Sequence, residues 1–333
     1  MQAVVIFGPT ASGKSALAAA LARRLNGVVI NADALQLYRD LPVITAQPEP
    51  ALQAMAPHRL YAVLAWRERA SAGWWQRAVQ PVLKASWQEG RIPILVGGTG
   101  LYLRAALCGL APVPKVPESV MVDLHRRLQA EGPEPLHAVL ARVDPALAQR
   151  VSPQDRQRIL RALAVWQATG TPLSVWQRRE REGAPLSAAA ARGQVAGFVL
   201  WPARAALYRR IDARFIAMME SGALEEVRAL AAADLDPDLP VMKAVGVRPL
   251  LRHIQGACDR DEAVALAQRD SRRYAKRQLT WARHQFRGWT RVPVALQHDE
   301  AEALAAKLVT RLGAAAVDLT AWWRATARER KTA

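Results

Sequence analysis

Eight residues near the start of the chain, Gly8-Pro9-Thr10-Ala11-Ser12-Gly13-Lys14-Ser15, have the types and the G-x-x-x-x-G-K-S spacing that hold phosphate. In such a loop, backbone N–H groups turn inward onto phosphate oxygens, and the helix that follows adds the partial positive charge of its N-terminus. Lys14 is placed to reach the outer phosphates, and the Ser15 hydroxyl can hold a Mg2+ ion. One acid matches this loop in position. Asp33 stands just beyond the apolar run Val28 to Ile30, after Asn31-Ala32. The carboxyl ends of strands in an open parallel sheet form the ligand crevice, so Asp33 is expected across that crevice from the phosphates. An enzyme that uses a nucleoside triphosphate also needs a metal-binding acid at the end of an apolar strand. Ile92 to Val96 is such a strand, but it runs into Gly97-Gly98-Thr99-Gly100. Two chemistries stay open. Asp33 is either a displaced metal ligand in phosphoryl transfer, or a general base for a nucleophile that attacks carbon while diphosphate leaves.

The elements that must position these groups are legible as alternating strands and helices. Val4 to Phe7 reads as the strand before the loop, and Ala16 to Leu25 as the helix after it, with Leu17, Leu21 and Leu25 on one face. Residues 72–88 read as a helix whose Trp74, Trp75 and Trp87 are expected in the core, and Leu101 to Cys108 as another. Pro112, Pro114 and Pro117 mark a linker, after which residues 118–131 read as a helix stopped by Gly132. Ser152-Pro153-Gln154-Asp155 reads as a helix start capped by Ser152, leading to Ile159, Leu163 and Trp166 and ending at Gly170. Basic Arg178, Arg179 and Arg181 follow, residues 184–193 read as a loose Ala-rich connection, and Val195 to Trp201 as a strand returning to the sheet. The fold class is α/β: a P-loop NTPase-like parallel-sheet core over 1–111 and 195–320, an all-helical insertion over 112–194, and a basic tail, 321–333.

A long helix is expected from Ala205 to Leu230, with Leu207, Ile211, Phe215 and Met218 as its apolar stripe and Arg210 and Arg214 one turn apart on another face. After a proline-containing break at Asp236 to Pro240, residues 261–287 form a second long helix. Arg269, Arg273, Lys276, Arg283 and Arg287 share one face of it, and Tyr274, Gln278, Trp281 and Gln285 a neighbouring one. A basic stripe beside an aromatic one suits a nucleic-acid groove; a solvated face beside a packed one is the plainer reading. Composition points the same way. The 333 residues are 51% hydrophobic, enough for a full core and against global disorder. Lys and Arg number 46 against 29 Asp and Glu, a net charge of +17 that suits a polyanionic partner, nucleic acid before membrane. Cys108 and Cys258 are far apart and lack metal-type spacing, which argues against a disulfide framework or zinc site and fits a reducing cytosol. The start of the chain has no basic signal-peptide region, and no apolar run approaches the length of a membrane span.

The phosphate loop followed by Asp33-Ala34-Leu35-Gln36-Leu37-Tyr38 resembles the start of the tRNA dimethylallyltransferases, also called tRNA isopentenyltransferases. Thr45-Ala46-Gln47-Pro48, Gly97-Gly98-Thr99-Gly100-Leu101-Tyr102 and Gln157-Arg158-Ile159-Leu160-Arg161-Ala162-Leu163 are similar to later segments of that family. So are Lys243-Ala244-Val245-Gly246-Val247-Arg248 and Ala275-Lys276-Arg277-Gln278-Leu279-Thr280-Trp281, in family order over nearly the whole chain. The resemblance implies transfer of a dimethylallyl group from dimethylallyl diphosphate to the exocyclic amine of adenosine 37, just 3′ of a tRNA anticodon. It implies Asp33 as general base, Thr10 as the hydroxyl near the breaking C–O bond, and Lys14, Ser15, Arg214 and the amides of Gly8 to Ser15 as the grip on diphosphate and Mg2+. The matching tRNA contacts are Asp33, Ala34, Leu35, Gln36, Thr99, Gln157, Arg158, Ile159, Leu160 and Arg161. Lys243, Ala244, Val245, Gly246, Val247, Arg248, Lys276 and Arg277 complete that set. The insertion is expected to grip the anticodon stem-loop with the target base splayed out of its stack. A cytoplasmic monomer with no membrane partner is the matching expectation.

This chain departs from the family pattern at Ala34, where Ser is usual, at Ile44, Gln47 and Val247, where Gly, Lys and Tyr are common, and at Met121, where an Arg often meets the tRNA. Lost cationic and aromatic contacts bear on tRNA affinity and choice rather than on reaction type. The residues matched to the chemical step, Thr10, Lys14, Asp33 and Arg214, are all present. The competing functions are an ATP-dependent small-molecule kinase, an isopentenyltransferase of free adenine nucleotides, and an RNA-binding protein with a relict loop.

Overall fold

A computed structural model describes residues 1–293 and 298–318; the expected basic tail, 321–333, lies outside the described residues. Six strands are found among them: β1 (Ala3–Phe7), β2 (Gly27–Asn31), β3 (His58–Arg59), β4 (Ile92–Gly97), β5 (Val195–Leu200) and β6 (Thr290–Val292). They form one sheet in the order β3-β2-β4-β1-β5-β6 with parallel neighbours throughout. Val4 of β1 sits between Ile94 of β4 and Ala196 of β5. The inner strands are apolar without alternation because both faces of the sheet are covered.

The helices before the insertion are α1 (Lys14–Arg24), α2 (Pro50–Met55), α3 (Ala72–Gln88) and α4 (Gly100–Cys108). The next five are α5 (Glu118–Glu131), α6 (Pro133–Val143), α7 (Pro145–Ala148), α8 (Arg156–Thr169) and α9 (Leu173–Arg178). The remainder are α10 (Ser187–Ala191), α11 (Arg204–Glu220), α12 (Ala223–Ala232), α13 (Val247–Ile254), α14 (Arg260–Gln285) and α15 (His298–Val309). The described residues divide into two compact units: Met1–Leu107 together with those from Pro185 to Asp318, and Cys108–Ala184. The helical unit thus spans 108–184, against the 112–194 read from the proline linker and the return strand.

In the first unit, Val4, Ile6, Val29, Ile94 and Phe198 pack on one face of the sheet against Leu17 and Leu21 of α1 and Ala301, Ala305 and Leu308 of α15. On the other face Trp75 stacks on Tyr102 at 4.8 Å and donates its indole N–H to Asn31 O at 2.8 Å. Phe7 packs against Trp281 and Phe286. Of the three tryptophans of α3, Trp75 is buried, Trp74 half-buried, and Trp87 stays 38% exposed with its N–H on Gln2 O. The long helix expected over 205–230 is two helices: the chain turns at Ser221-Gly222, and α12 departs from α11 there. The Ala-rich stretch 184–193 holds a short helix, α10, with Ala189 and Ala190 buried; alanine's helix propensity outweighs the loose composition.

The helical unit has its own core of Leu124, Leu136, Leu140, Ile159 and Leu163. Its α8 starts three residues later than its cap signal suggested. Asp155, not Ser152, is the cap, and its carboxylate accepts from Arg158 N. A carboxylate beside a helix N-terminus is favoured by the helix dipole as well as by the hydrogen bond. Ser152 instead accepts from Gln154 N, within the turn that leads into α8.

Candidate active site

The phosphate loop leaves the carboxyl end of β1. Ala11 (φ 61) and Gly13 (φ 84) hold left-handed conformations on either side of Ser12, and Ser12 N donates to Pro9 O at 3.2 Å. This backbone turns successive N–H groups toward one point, an anion nest at the N-terminus of α1. The Ser12 hydroxyl is buried without a hydrogen-bond partner among the described residues, as expected of a donor that meets a phosphate oxygen. Lys14 is buried at the start of α1. Burial lowers its pKa to about 8, the Asp33 carboxylate partly offsets this, and Arg214 adds to the lowering.

Asp33 follows β2 and is fixed through its neighbours. Asn31 Oδ1 accepts from Asp33 N at 2.8 Å, while Asn31 Nδ2 donates to Asp33 O at 3.0 Å and Leu60 O at 2.9 Å. Asp33 Oδ1 accepts from Leu35 N at 3.2 Å, and Ala34 N donates to Thr99 Oγ1 at 3.0 Å. The turn after β4 packs tightly beside it. A Cβ on Gly98 would stand 2.1 Å from Gln278 Nε2 and 3.2 Å from Asp33 Oδ2, so a side chain there would push both out of place.

Helices α11 and α14 close the site. Arg214 donates from Nη2 to the Thr10 hydroxyl, and burial lowers the arginine's pKa, with Arg210 adding and Asp33 opposing. Gln278 Oε1 accepts from Thr10 N at 2.8 Å, and its Nε2 donates to Gly98 O at 3.1 Å. One side chain thus ties the phosphate loop to the end of β4. A pocket opens from this polar group: Thr10, Asp33, Arg214 and Tyr274 line it together with apolar Leu35, Ile44, Ile211, Phe215, Met218 and Val245. Burial, and then Asp33, raise the pKa of the Tyr274 phenol, so it stays neutral.

The structure brings Thr10, Lys14, Asp33 and Arg214 together, and it sorts the other expected site residues. Gln157, Arg158 and Arg161 of α8 are exposed, whereas Ile159 and Leu160 are buried in the helical unit's core and offer no side chain to a partner. Met121 packs against that same core. Lys243 is exposed and paired with Asp238 at 3.1 Å. Arg248, Lys276 and Arg277 are exposed, while Ala244, Gly246 and Val247 are buried and Val245 lines the pocket. Gln36 is buried, with its amide on the carbonyls of Thr45 and Ala46. The two stripes of α14 part company. Arg269, Arg273 and Arg283 are exposed, but Gln278 faces the phosphate loop and Trp281 packs on Phe7 and Phe286, so the aromatic stripe serves the interior. Glu226 carries no motif that assigns it a site role, Ile44 stood out only as a departure from the family pattern, and Gln278 lies in the family-like segment Ala275 to Trp281 without an assigned role. The signal for Gln278 was its place on the face shared by Tyr274 and Trp281.

Comparison with known proteins matches residues 36–285 to the family described as IPP transferase, and residues 1–63 to the Isopentenyl transferase model. The chain belongs to the IPP transferase family. A tRNA dimethylallyltransferase of Nitrobacter hamburgensis is 51% identical over 90% of this chain and 92% of the relative. One from a Methylobacterium species is 54% identical over 86% and 93%. The full-length tRNA isopentenylpyrophosphate transferase of Bacillus halodurans is 29% identical, with a TM-score of 0.65 over 94% of this chain and 97% of that one. A eukaryotic dimethylallyltransferase acting on tRNA is 26% identical with a TM-score of 0.69, over 84% of this chain and 69% of the other. The α/β fold with a P-loop NTPase-like core is therefore shared with solved members of the family, and it carries the loop, acid and arginine to one pocket.

Proposed function

We propose that this chain moves a dimethylallyl group from dimethylallyl diphosphate to the exocyclic amine of adenosine 37 of tRNA and releases diphosphate. The observation that carries this reading is an anion cradle opening onto an apolar wall. Thr10, Arg214 and Asp33 share one pocket with Ile211, Phe215 and Met218. A branched hydrocarbon joined to a diphosphate has that pair of surfaces. The amine nitrogen attacks C1 of the donor, the new N–C bond forms as the C–O bond breaks, and the electron pair of that bond leaves with diphosphate. Asp33 takes the amine proton, which becomes acidic as nitrogen gains its bond. Because Arg214 donates into the Thr10 oxygen, the Thr10 hydroxyl proton is free to point at the leaving oxygen. Lys14, Arg214 and the loop amides stabilise charge that grows on diphosphate, as an oxyanion hole does for an acyl intermediate.

A Mg2+ ion fits this site. Ser15 stands in the first turn of α1, and the neighbouring Ser12 hydroxyl is buried and unpartnered. Ser15 would hold the ion together with phosphate oxygens of the donor. When bound, Mg2+ would neutralise part of the leaving-group charge. Exposed Gln157, Arg158, Arg161, Lys243, Arg248, Lys276 and Arg277 are the side chains available to tRNA. We propose a cytoplasmic monomer, a reading that the widely spaced pair Cys108 and Cys258 suits.

Incorporation of labelled dimethylallyl diphosphate into unmodified tRNA with adenosines at 36 to 38 tests the reading, with AMP as alternative acceptor and ATP hydrolysis measured alongside. The expected result is label in tRNA alone, lost when adenosine 37 becomes guanosine. Label in AMP assigns the protein to free nucleotides, and ATP turnover without label assigns the loop to phosphoryl transfer.

A further inference from the structure

The pocket is bounded by a loop that no phosphate motif explains. Residues 41–47 turn on their own backbone hydrogen bonds, Ala46 N to Val43 O and Gln47 N to Pro42 O, and are strapped down further by side chains. Glu226 of α12 accepts from Val43 N at 2.7 Å and from Ile44 N at 2.9 Å, one on each carboxylate oxygen. Gln36 Nε2 donates to Thr45 O at 3.1 Å and Ala46 O at 2.6 Å, and Gln47 Nε2 donates to Tyr38 O at 2.7 Å. Ala46 is held at φ 51, a conformation an alanine keeps only when its surroundings impose it.

What the strapped loop presents is Ile44, only 6% exposed and lining the pocket. Opposite it is Gly246, at φ 97, where an added Cβ would stand 2.8 Å from Phe215 Cε2 and 3.0 Å from Ile44 Cδ1. Ile44, Phe215 and the bare Cα of Gly246 thus meet with no room for another carbon. We propose that Ile44, positioned by Glu226, is the wall that sets the length of the prenyl group the site accepts. The proposal rests on the prenyl-transfer reading above. A five-carbon group fits between Thr10 and this wall; a ten-carbon group has to displace Ile44. Phe215 is fixed within α11, so the loop side of the contact is the one a substitution opens. Glu226 acts through Ile44: with its two hydrogen bonds weakened, the loop backs away and the wall becomes compliant.

The test compares dimethylallyl with geranyl diphosphate as donors to tRNA for the wild-type chain and for Ile44→Ala, Ile44→Val and Glu226→Gln. The readout is the ratio of kcat/KM for geranyl to that for dimethylallyl. The ratio is expected to rise about tenfold or more in Ile44→Ala, about two- to threefold in Ile44→Val, and several-fold in Glu226→Gln. A fold defect alone lowers both donors together and leaves the ratio fixed, and the single-methyl change in Ile44→Val keeps the measurement possible. An unchanged ratio in both Ile44 variants overturns the proposal. So does a rise in KM for tRNA with a constant donor ratio, which would place Ile44 against the acceptor. Calorimetric binding of the two diphosphates without tRNA separates this from the reaction itself. A shifted binding ratio without transfer sinks the reaction and keeps the wall, and intact transfer with a fixed ratio does the reverse.

Discussion

The two loops that frame the pocket are held to different degrees by side chains from elsewhere in the chain. The phosphate loop, 8–15, is shaped mostly by its own backbone: left-handed Ala11 and Gly13, the Ser12-to-Pro9 hydrogen bond, and the start of α1. The loop 41–47 has backbone turns of its own, Ala46 N to Val43 O and Gln47 N to Pro42 O at 2.9 Å each, but it is also clamped by side chains: Gln36, its own Gln47 and, distant in sequence, Glu226. Under the proposed function and the proposed wall, the first binds what every diphosphate has in common and the second meets what differs between donors. A loop that reads a constant group can be a local motif. A loop that reads shape must be placed by whatever tertiary contacts put the wall at the right distance.

The most severe way to break the first half of this contrast is to remove the acid that faces it. Asp33→Ala is expected to lower turnover by about 10²- to 10⁴-fold while leaving tRNA binding within about twofold. Single-turnover label transfer alongside filter binding of tRNA checks this, and turnover near wild type removes Asp33 from the base role. Thr10→Val is expected to cost somewhat less, about 10²- to 10³-fold in kcat. It keeps the shape of the side chain and the backbone bond to Gln278 but takes away both the acceptor for Arg214 and the proton aimed at the leaving oxygen. An unchanged kcat with a raised donor KM would mean that Thr10 only binds.

Gln278 and Gln36 sharpen the comparison because each is a buried amide that holds one of the two loops. Gln278→Leu strands Thr10 N–H and Gly98 C=O and is expected to destabilise the fold by about 1–3 kcal/mol. Its turnover should fall roughly tenfold, since a displaced donor in a preorganised site loses transition-state contact. Gln36→Leu strands the carbonyls of Thr45 and Ala46, with a similar loss of stability, but its kinetic effect is expected in the donor KM. Thermal melts and the split between kcat and KM in the two variants check the assignment; matching kinetic profiles would erase the distinction between the loops.

What could be read from the chain follows the same division. The strand order is unstated in the sequence, yet β1, β2, β4, β5, α3, α5 and the phosphate loop were legible because each is signalled by adjacent residues, whereas the short edge strands β3 and β6, two and three residues long, carry no apolar run and were not read. Asp33 was legible because it follows an apolar run. The break between α11 and α12 was missed although the chain signals it: Leu224, Val227 and Leu230 fall roughly half a turn out of phase with the stripe Leu207, Ile211, Phe215 and Met218, and Ser221-Gly222 stands between the two sets. The tRNA segments were legible as motifs but not as surfaces. Ile159 and Leu160 belong to a core and Gln157, Arg158 and Arg161 to a surface, although the five are consecutive. The roles of Glu226 and Gln278 depend on contacts with residues 43, 44, 10 and 98; nothing within a few positions of Glu226 announces its role, and for Gln278 the helix face and the segment Ala275 to Trp281 mark the residue but not its partners.

The smallest effect belongs to Lys14, whose pKa of about 8 is set first by burial. An unfolded lysine titrates near 10.5, so between about pH 8 and 10.5 the unfolded chain binds a proton that the native chain does not. Stability from this group therefore rises with pH across that window, and its cost is present in full below it. Donor binding reverses the balance. A diphosphate against Lys14 favours the ammonium, raises its pKa and draws in a proton at pH 9 but almost none at pH 7. The affinity for donor should accordingly weaken by up to about tenfold per pH unit above pH 8, where the free lysine is largely neutral. Calorimetric titration in two buffers of different ionisation heat reads the proton count directly. The expected values are close to one at pH 9 and close to zero at pH 7, with the pH 9 uptake absent in Lys14→Met. Uptake that persists in Lys14→Met would assign the proton to another group, and no uptake at pH 9 would mean that the buried lysine is already charged before diphosphate arrives.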